Sequence, residues 1–141
     1  MSNKEHVSTL LGGVEKWNEY RKSHHLQKPD FIDANLRSAV LLRANLIGAD
    51  LSNAVLLRAD LRGADLRGAD FRDADFRDAD LSDADFRDAN LRGANLSGAD
   101  ISGANLRNAI LIDTNFMGVD FAQVELSGVD LSKALFVETI K

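Results

Sequence analysis

The sequence repeats itself every five residues over most of its length. From position 31 to position 136 every fifth residue is Leu, Phe or Ile, which makes 22 positions without an exception. Two residues before each lies a second column, which is Ala at all 16 positions from 34 to 109. Such regularity constrains the fold strongly, because every unit has to adopt the same local structure. The later members of the second column are Thr114, Val119, Val124, Val129 and Ala134.

A period of five fits neither a regular helix nor a flat strand. In an α-helix five residues advance by about 500°, so the Leu side chains would spiral around the helix. In a strand, successive Leu side chains would lie on opposite faces, because side chains alternate and five is odd. A short extended segment followed by a turn in each unit puts both columns on one side. The period therefore predicts a closed β-solenoid with Ala, Leu and Phe inside.

The position two residues after each central Leu, Phe or Ile has the composition of a turn. It is Gly, Asn or Asp in 16 of the 22 units. These residue types tolerate positive φ or hydrogen-bond to their own backbone. We expect type II turns at the Gly positions, and the Asp positions leave another turn type open.

Units such as residues 59–63 (ADLRG) and 99–103 (ADISG) resemble the A(D/N)LXX unit of the pentapeptide-repeat proteins. The resemblance covers residues 30 to about 139. It implies an all-β fold, a right-handed quadrilateral β-helix with four units per coil. The 22 units then make about 5.5 coils, and residues 20 apart stack on one of four faces. We therefore divide the chain into an N-terminal helical cap, residues 1–29, and a pentapeptide-repeat β-solenoid, residues 30–141.

Residues 1–29 carry a helical pattern that ends before the repeat. Asn3 is the predicted N-cap, and Pro29 ends any helix before the solenoid begins. The two glycines at 12–13 each weaken a helix by about 1 kcal/mol relative to Ala, so a break is expected there. Because a solenoid end needs cover, we expect Leu11 and Trp17 to plug the first coil. A partner-binding arm is the alternative. The apolar residues at helical spacing are Val7, Leu10, Leu11, Val14 and Trp17.

Residues 13–21 (GVEKWNEYR) resemble a GVxxWNxWR segment that precedes the repeats in many cyanobacterial pentapeptide-repeat proteins. Tyr20 stands where that segment has its second Trp. The resemblance implies a cyanobacterial-type member of the family. It implies little about activity, since members of this subgroup mostly have no assigned biochemical function.

Charge and composition narrow the function classes. Residues from 30 onward contain 19 acidic and 12 basic residues, a net charge of −7, and residues 1–29 contain 3 and 5, a net charge of +2. An acidic body argues against direct nucleic-acid binding. The chain has no Cys, no apolar run of about 18 residues and no signal-peptide pattern at its start. We expect a cytoplasmic protein with no membrane association.

The sequence shows no constellation for catalysis, a cofactor or a metal. There is no Ser-His-Asp, Cys-His, phosphate-loop or paired acid/base arrangement, so we expect a protein that is not an enzyme. His24 and His25 have no predictable third ligand. One acidic column, expected to stack about 5 Å apart, reads as a solvated ladder offset by Arg62, with a cation site as the alternative. It consists of Asp60, Asp80, Asp100 and Asp120.

Two groups of outward positions are apolar where the repeat should be polar, and exposed apolar patches mark interaction sites. We expect the N-terminal helix to cover the first group. The second has no obvious cover, so we expect a homodimer contact or a C-terminal turn to bury the end that includes Phe136 and Ile140. The first group is Val40, Leu42, Ile47, Val55 and Leu57. The second is Ile110, Ile112, Met117, Leu135 and Val137.

Two function classes remain. The first is a non-enzymatic, rigid interaction module that binds an unknown protein partner. The second follows from the resemblance, since some pentapeptide-repeat proteins mimic duplex DNA and bind type II topoisomerases such as DNA gyrase. The rod and its −7 charge favour the mimic, whereas the 12 basic residues on the solenoid argue against it. Gyrase-protecting members also dimerise through their C-terminal ends, and only the apolar end of this chain agrees with that.

Overall fold

The computed structural model describes residues 2–136 and contains two α-helices, α1 (Lys4–Leu11) and α2 (Val14–Ser23). Both are too short and too polar to span a bilayer. From Asp30 onward the described chain forms isolated parallel β-bridges and contains no continuous strand. Each side of a coil is extended over so few residues before the next turn that only one residue per unit can bridge.

The bridges join residues that are 20 apart. Asp30 pairs with Asp50, Asp50 with Asp70, and Asn115 with Leu135 at the far end. Two hydrogen bonds support the first pair, from Phe31 N–H to the Asp50 oxygen (2.8 Å) and from Asp50 N–H to the Pro29 oxygen (2.9 Å). Twenty residues are four units, so each coil has four sides. The predicted total of 5.5 coils counts a final unit, residues 134–138, that lies partly outside the described residues.

We number the four faces by the central residues of their units. Face 1 contains the units centred on 31, 51, 71, 91, 111 and 131, and face 2 those centred on 36, 56, 76, 96, 116 and 136. Face 3 contains the units centred on 41, 61, 81, 101 and 121. Face 4 contains those centred on 46, 66, 86, 106 and 126. Successive units on one face belong to successive coils.

The turns between faces share one backbone conformation. The third turn residue has positive φ at every unit from 33 to 128, at 57–61° for Asp and 63–75° for Gly. The Ala that follows donates its N–H to the central residue of the same turn, as from Ala34 to the Phe31 oxygen (3.0 Å). The Asp sites therefore share the positive φ of the Gly sites. Coil closure imposes the same φ on residue types that disfavour it: Ser38, Arg43, Arg58 and Gln123.

The interior is filled by the two inward columns. The Ala column from 34 to 109 is buried except at the partly buried Ala39, and the central Leu, Phe and Ile residues from 31 to 116 are all buried. Phe71, Phe76 and Phe86 lie in one coil, as expected, with ring centroids 4.9–6.0 Å apart. Burial of each Leu or Phe side chain contributes about 1.5–3 kcal/mol. The narrow Ala side chains let the four walls approach closely enough for this packing.

The two helices pack against the first coil. The Asn3 side chain accepts from the N–H groups of Glu5 (2.9 Å) and His6 (3.2 Å), which confirms the predicted N-cap. The predicted break is also confirmed, since Gly13 has φ of 130° between α1 and α2. Trp17 is fully buried against Phe31, with centroids 5.2 Å apart. Its indole N–H donates to the Asn45 oxygen (2.7 Å).

The prediction that Leu11 plugs the coil is wrong. Leu10 is buried instead, and 54% of Leu11 is exposed. Because α1 ends at Leu11 and the chain turns at Gly12, only the inward side of the last helical turn reaches the core. The residue one position earlier occupies that side.

Two buried polar residues at this end carry no signal in the sequence. His6 accepts from the Asp30 N–H through Nδ1 (3.0 Å) and contacts the Gln27 side-chain oxygen through Nε2 (3.0 Å), a pairing that assigns the neutral Nε2–H tautomer. Arg21 donates to the His24 and Gln27 carbonyl oxygens (3.0 and 2.8 Å), and burial lowers the pKa of its guanidinium. Together they fix the loop between α2 and the solenoid.

The backbone ladder is interrupted at the C-terminal end of the described chain. Within residues 2–136 no bridge joins Asp100 to Asp120 or Ile110 to Asp130. Asp113 N–H donates to the Lys133 oxygen (2.9 Å), one residue beyond the register used elsewhere. The two missing bridges belong to the residues that follow Val119 and Val129, where the inward column has Val in place of Ala. Val124 is an exception, because the Glu125 that follows it is bridged to Asn105.

Candidate interaction surfaces

The polar residue before each central Leu or Phe stabilises its own turn. The Asp60 side chain accepts from the backbone N–H of Arg62 (3.2 Å), and the Asn45 side chain accepts from that of Ile47 (3.2 Å). An oxygen acceptor two residues before a turn amide is the Asx-turn arrangement. This local role explains why the repeat has Asp or Asn at this position.

Five of these Asp carboxylates also form two-pronged ion pairs with the Arg two residues later. The terminal Arg nitrogen lies 2.6–2.8 Å from the carboxylate oxygen in each pair. The Arg hydrogen bonds lower the pKa values of Asp60, Asp75 and Asp85. Much of the middle of the solenoid is therefore neutralised within single units. The pairs are Asp60–Arg62, Asp65–Arg67, Asp70–Arg72, Asp75–Arg77 and Asp85–Arg87.

The predicted acidic column is brought together only in part. Asp60, Asp80 and Asp100 are bridged in succession, but Asp120 is not bridged to Asp100. Asp60 is neutralised by Arg62, whose Nε lies 3.8 Å from Asp80. The Asp80 and Asp100 carboxylates accept from Ser82 and Ser102, and the Ser102 hydroxyl lowers the pKa of Asp100. Among residues 2–136 no three acidic, His or Cys side chains are grouped to hold a metal.

The predicted C-terminal apolar surface is exposed on two adjoining faces. Ile110 on face 1 is 45% exposed and Leu135 on face 2 is 55% exposed. Met117, also on face 2, is exposed, and Ile112 is partly buried. Phe136 is exposed at the edge, with its ring 5.4 Å from that of Phe121. We call Ile110, Ile112, Met117 and Leu135 the C-terminal patch. Val137 and Ile140, predicted with them, lie outside the described residues.

The expected cover of the first apolar group is wrong for two of its members. Val40 is 70% exposed and Leu42 is 39% exposed, whereas Ile47, Val55 and Leu57 are partly buried. Helix α2 crosses the coil further along, where Asn18 donates to the Arg43 oxygen (3.1 Å). The turn at Gly12 and Gly13 leaves a groove of about 650 Å³ between the helices and the wall formed by residues 39–42. The two glycines were the available sequence signal for this opening.

The chain belongs to the pentapeptide-repeat family. The model of that family, described as pentapeptide repeats, matches eight copies over residues 30–68, 69–108 and 99–136. Because proteins of this family form right-handed β-helices, the solenoid is a right-handed β-helix. The search of curated protein sequences returned no match.

Solved structures of the same family are similar to this chain. The pentapeptide-repeat protein alr5209 from Nostoc PCC 7120 is 35% identical over 77% of this chain and 93% of its own, with a TM-score of 0.50. HetL, a pentapeptide-repeat protein involved in heterocyst differentiation regulation in Nostoc sp. strain PCC 7120, is 29% identical over 82% of this chain, with a TM-score of 0.38. QnrB1 (R167E, trypsin-treated), a plasmid-mediated fluoroquinolone resistance protein, is 26% identical over 69% of this chain and 52% of its own, with a TM-score of 0.46.

The match covers only part of the length of several of these structures. It spans 63% of HetL and 64% of Rfr23, a pentapeptide-repeat protein from Cyanothece 51142. It spans nearly the whole of alr5209.

Proposed function

We propose that the protein is a non-enzymatic, rigid interaction module that binds a protein partner through the C-terminal patch. One observation carries the proposal: large apolar side chains stand exposed together at the C-terminal end of the described solenoid, at positions where the repeat favours polar residues. In the middle coils five Asp carboxylates are paired with the Arg of their own unit. Family membership and a filled interior support a binding role over catalysis.

The backbone at that end offers a second means of association. Where the ladder of β-bridges is interrupted, backbone N–H and C=O groups lack the hydrogen-bond partners that the equivalent groups have in earlier coils. Such an edge is a template for pairing with another chain. An apolar patch beside an open edge suits a protein partner, and we include a second copy of this chain among the candidates.

Photo-crosslinking tests this function. We would place a benzophenone amino acid at Met117 and, as the matched control, at Arg77, which occupies the same column of face 2 two coils earlier. The proposal predicts a discrete crosslinked protein from Met117, in cell extract or as a dimer of the purified protein, and none from Arg77. Equal crosslinking from both positions, or none from Met117, would contradict it.

We also infer that α1 and α2 act as the cap of the first coil and that the whole solenoid has 5.5 coils. The burial of Trp17 and Leu10 against the first coil supports the cap. The 20-residue bridge spacing supports the coil count. A cyanobacterial origin and a cytoplasmic location remain parts of the proposal. The segment of residues 13–21 supports the first, and the composition supports the second.

A DNA-mimic role is the second candidate, and one observation favours it. Asp80, Asp100 and Asp120 have Ser or Ala where other units have the neutralising Arg, so face 3 keeps a short acidic stripe. A gyrase supercoiling assay with an Asp80→Asn/Asp100→Asn variant tests it. Asn keeps the acceptor of the turn but removes the charge. Dose-dependent inhibition that the variant loses would support the mimic, and no inhibition at large excess would reject it.

A further inference from the structure

The groove beside Gly12 and Gly13 is separate from the C-terminal patch and lies at the opposite end of the solenoid. One wall is the helix break, from Leu11 through Lys16, and the other is the segment from Ala39 to Leu42. Its volume of about 650 Å³ is within the range of sites that hold a ligand or several side chains. It is open to solvent along its length in the described part of the chain.

The groove walls expose apolar side chains at positions where the repeat favours polar ones. Val40 stands in the column that continues with Asp60 and Asp80, and Leu42 in the column that continues with Arg62 and Ser82. Leu11 faces them from the helical side and is more than half exposed. Three large apolar side chains thus converge on one opening, which is the pattern of a binding groove.

Positive charge borders the groove and would favour negative charge in what binds there. The first residues of α2, Val14 to Lys16, line the groove, and Gly13 offers no side chain to cap their N–H groups. This end of a helix carries a partial positive charge. Arg37 and Arg43, both exposed, flank the apolar wall in the sequence. Lys16 offsets Glu15 within the groove lining, and Asp60 below Val40 is already paired with Arg62.

We propose that this groove binds a protein segment that combines apolar side chains with acidic ones. The apolar side chains would pack against Leu11, Val40 and Leu42. The carboxylates would lie near the N-terminus of α2 and the two arginines. A groove bordered by a helix N-terminus and two arginines suits such a segment better than the net acidic solenoid does.

Selection from a phage-displayed library of random 12-residue peptides tests the proposal on the full-length protein. The groove variant is Val40→Asn/Leu42→Ser, which introduces residues that the repeat uses at the same positions of other units, such as Asn45 and Ser82, and so preserves the turn. The matched control is Val55→Asn/Leu57→Ser, because residues 54–58 (AVLLR) repeat the sequence of residues 39–43 and do not line the groove. Selected peptides are then synthesised, and their affinity for each protein is measured by fluorescence anisotropy.

The expected peptides contain Leu, Phe or Ile together with Asp or Glu. The groove variant should weaken their binding at least about tenfold, and the control should change it less than about twofold. An Arg37→Ser/Arg43→Ser variant should weaken binding several-fold at low salt and less at high salt. Three outcomes would overturn the proposal: basic or uncharged selected peptides, equal loss in the control, or no selected peptide. Self-association of the wild type that the groove variant abolishes would also overturn it, because the occupant would then be a second copy.

Discussion

The two ends of the solenoid are built from the same repeat but finished differently. At the N-terminal end Trp17 and Leu10 are buried on the first coil, and His6 and Arg21 tie the connecting loop down. At the C-terminal end of the described chain Phe121, Leu126 and Leu131 are partly exposed, and the ladder is broken at Asp100 and Ile110. The repeat alone thus does not complete either end of the solenoid. The structure of each end depends on residues that depart from the repeat.

The difference separates stability from binding. At the N-terminal end Trp17 and Leu10 are buried in the core, while Leu11, Val40 and Leu42 are exposed at the groove. The C-terminal end replaces Ala by Val in the narrow column and exposes apolar side chains to solvent. A region with few buried contacts and unpaired backbone groups opens most easily, and it is also the region available to a partner.

Among the tests of this contrast, removal of the Trp17 side chain should cause the largest loss in the free energy of unfolding. Trp17→Ala deletes a fully buried indole and its hydrogen bond to Asn45, and we expect a loss of about 3–5 kcal/mol in the free energy of unfolding. Phe136→Ala at the other end removes a partly exposed ring and should cost about 1 kcal/mol or less. Urea denaturation of both variants measures the difference. Similar losses would show that the two ends are equally well packed.

The turns provide a smaller test in two neighbouring coils. Gly98 and Gly118 occupy the same corner, with φ of 72° and 75°. A Cβ at Gly98 would lie 2.3 Å from a carboxylate oxygen of Asp78, whereas a Cβ at Gly118 would meet nothing closer than 3.8 Å. Both Ala variants are strained by positive φ. Displacement of the Asp78 carboxylate should cost Gly98→Ala about 1 kcal/mol more.

Thermal or urea unfolding checks this pair, and a third variant isolates the cause. In an Asp78→Gly background the carboxylate is gone, so the extra loss from Gly98→Ala should disappear. If Gly118→Ala is the more damaging change in either background, the C-terminal coil is packed at least as closely as the middle.

The ion pairs of the middle coils should give the smallest effect, and it should depend on pH. Arg62 lowers the pKa of Asp60 in the folded protein, below the value of about 3.9 expected when unfolded. The pair therefore stabilises the fold above about pH 4 and is lost as the pH falls through the folded pKa. Arg62→Ser should lower the stability only slightly at pH 7, because the pair is partly exposed to solvent.

That loss should vanish in acid, which unfolding curves of wild type and variant from pH 7 to pH 2 would show. The matched control is Arg92→Ser, because Arg92 follows Asn90 and has no carboxylate in its own unit. A pH-independent effect of Arg62→Ser, or an equal acid-dependent effect of Arg92→Ser, would argue against the proposed role of the pairs.

The sequence predicted most of the fold because the period of five has few structural solutions. Residue type and spacing predicted the inward columns, the Asn3 N-cap and the helix break at Gly12 and Gly13. Burial of Leu10 in place of Leu11 was not, because it depends on the direction in which α1 meets the coil. The buried pairing of His6 likewise required residues 24 apart in the chain to meet.

The surfaces were predicted less completely than the fold. Exposure of Ile110, Met117 and Leu135 followed from apolar residues at outward positions. The acidic column of face 3 and its offset by Arg62 were predicted from the 20-residue spacing, but the missing bridge between Asp100 and Asp120 was not. The groove at Val40 and Leu42 was missed because cover by a helix was expected from proximity alone. The use of the surfaces for binding, and the location of the protein in the cell, remain predictions.

Native-state hydrogen exchange at face 3 tests the contrast between the ends most directly. Leu81 and Asp83 donate their N–H groups to the next coil (2.7 and 2.8 Å). Ile101 and Gly103 hold the same places one coil later and have no such acceptor among residues 2–136. We predict that the amides of Ile101 and Gly103 exchange at least about a hundredfold faster. Equal protection of the two pairs would show that the last coil is fully stacked and would contradict the open C-terminal end.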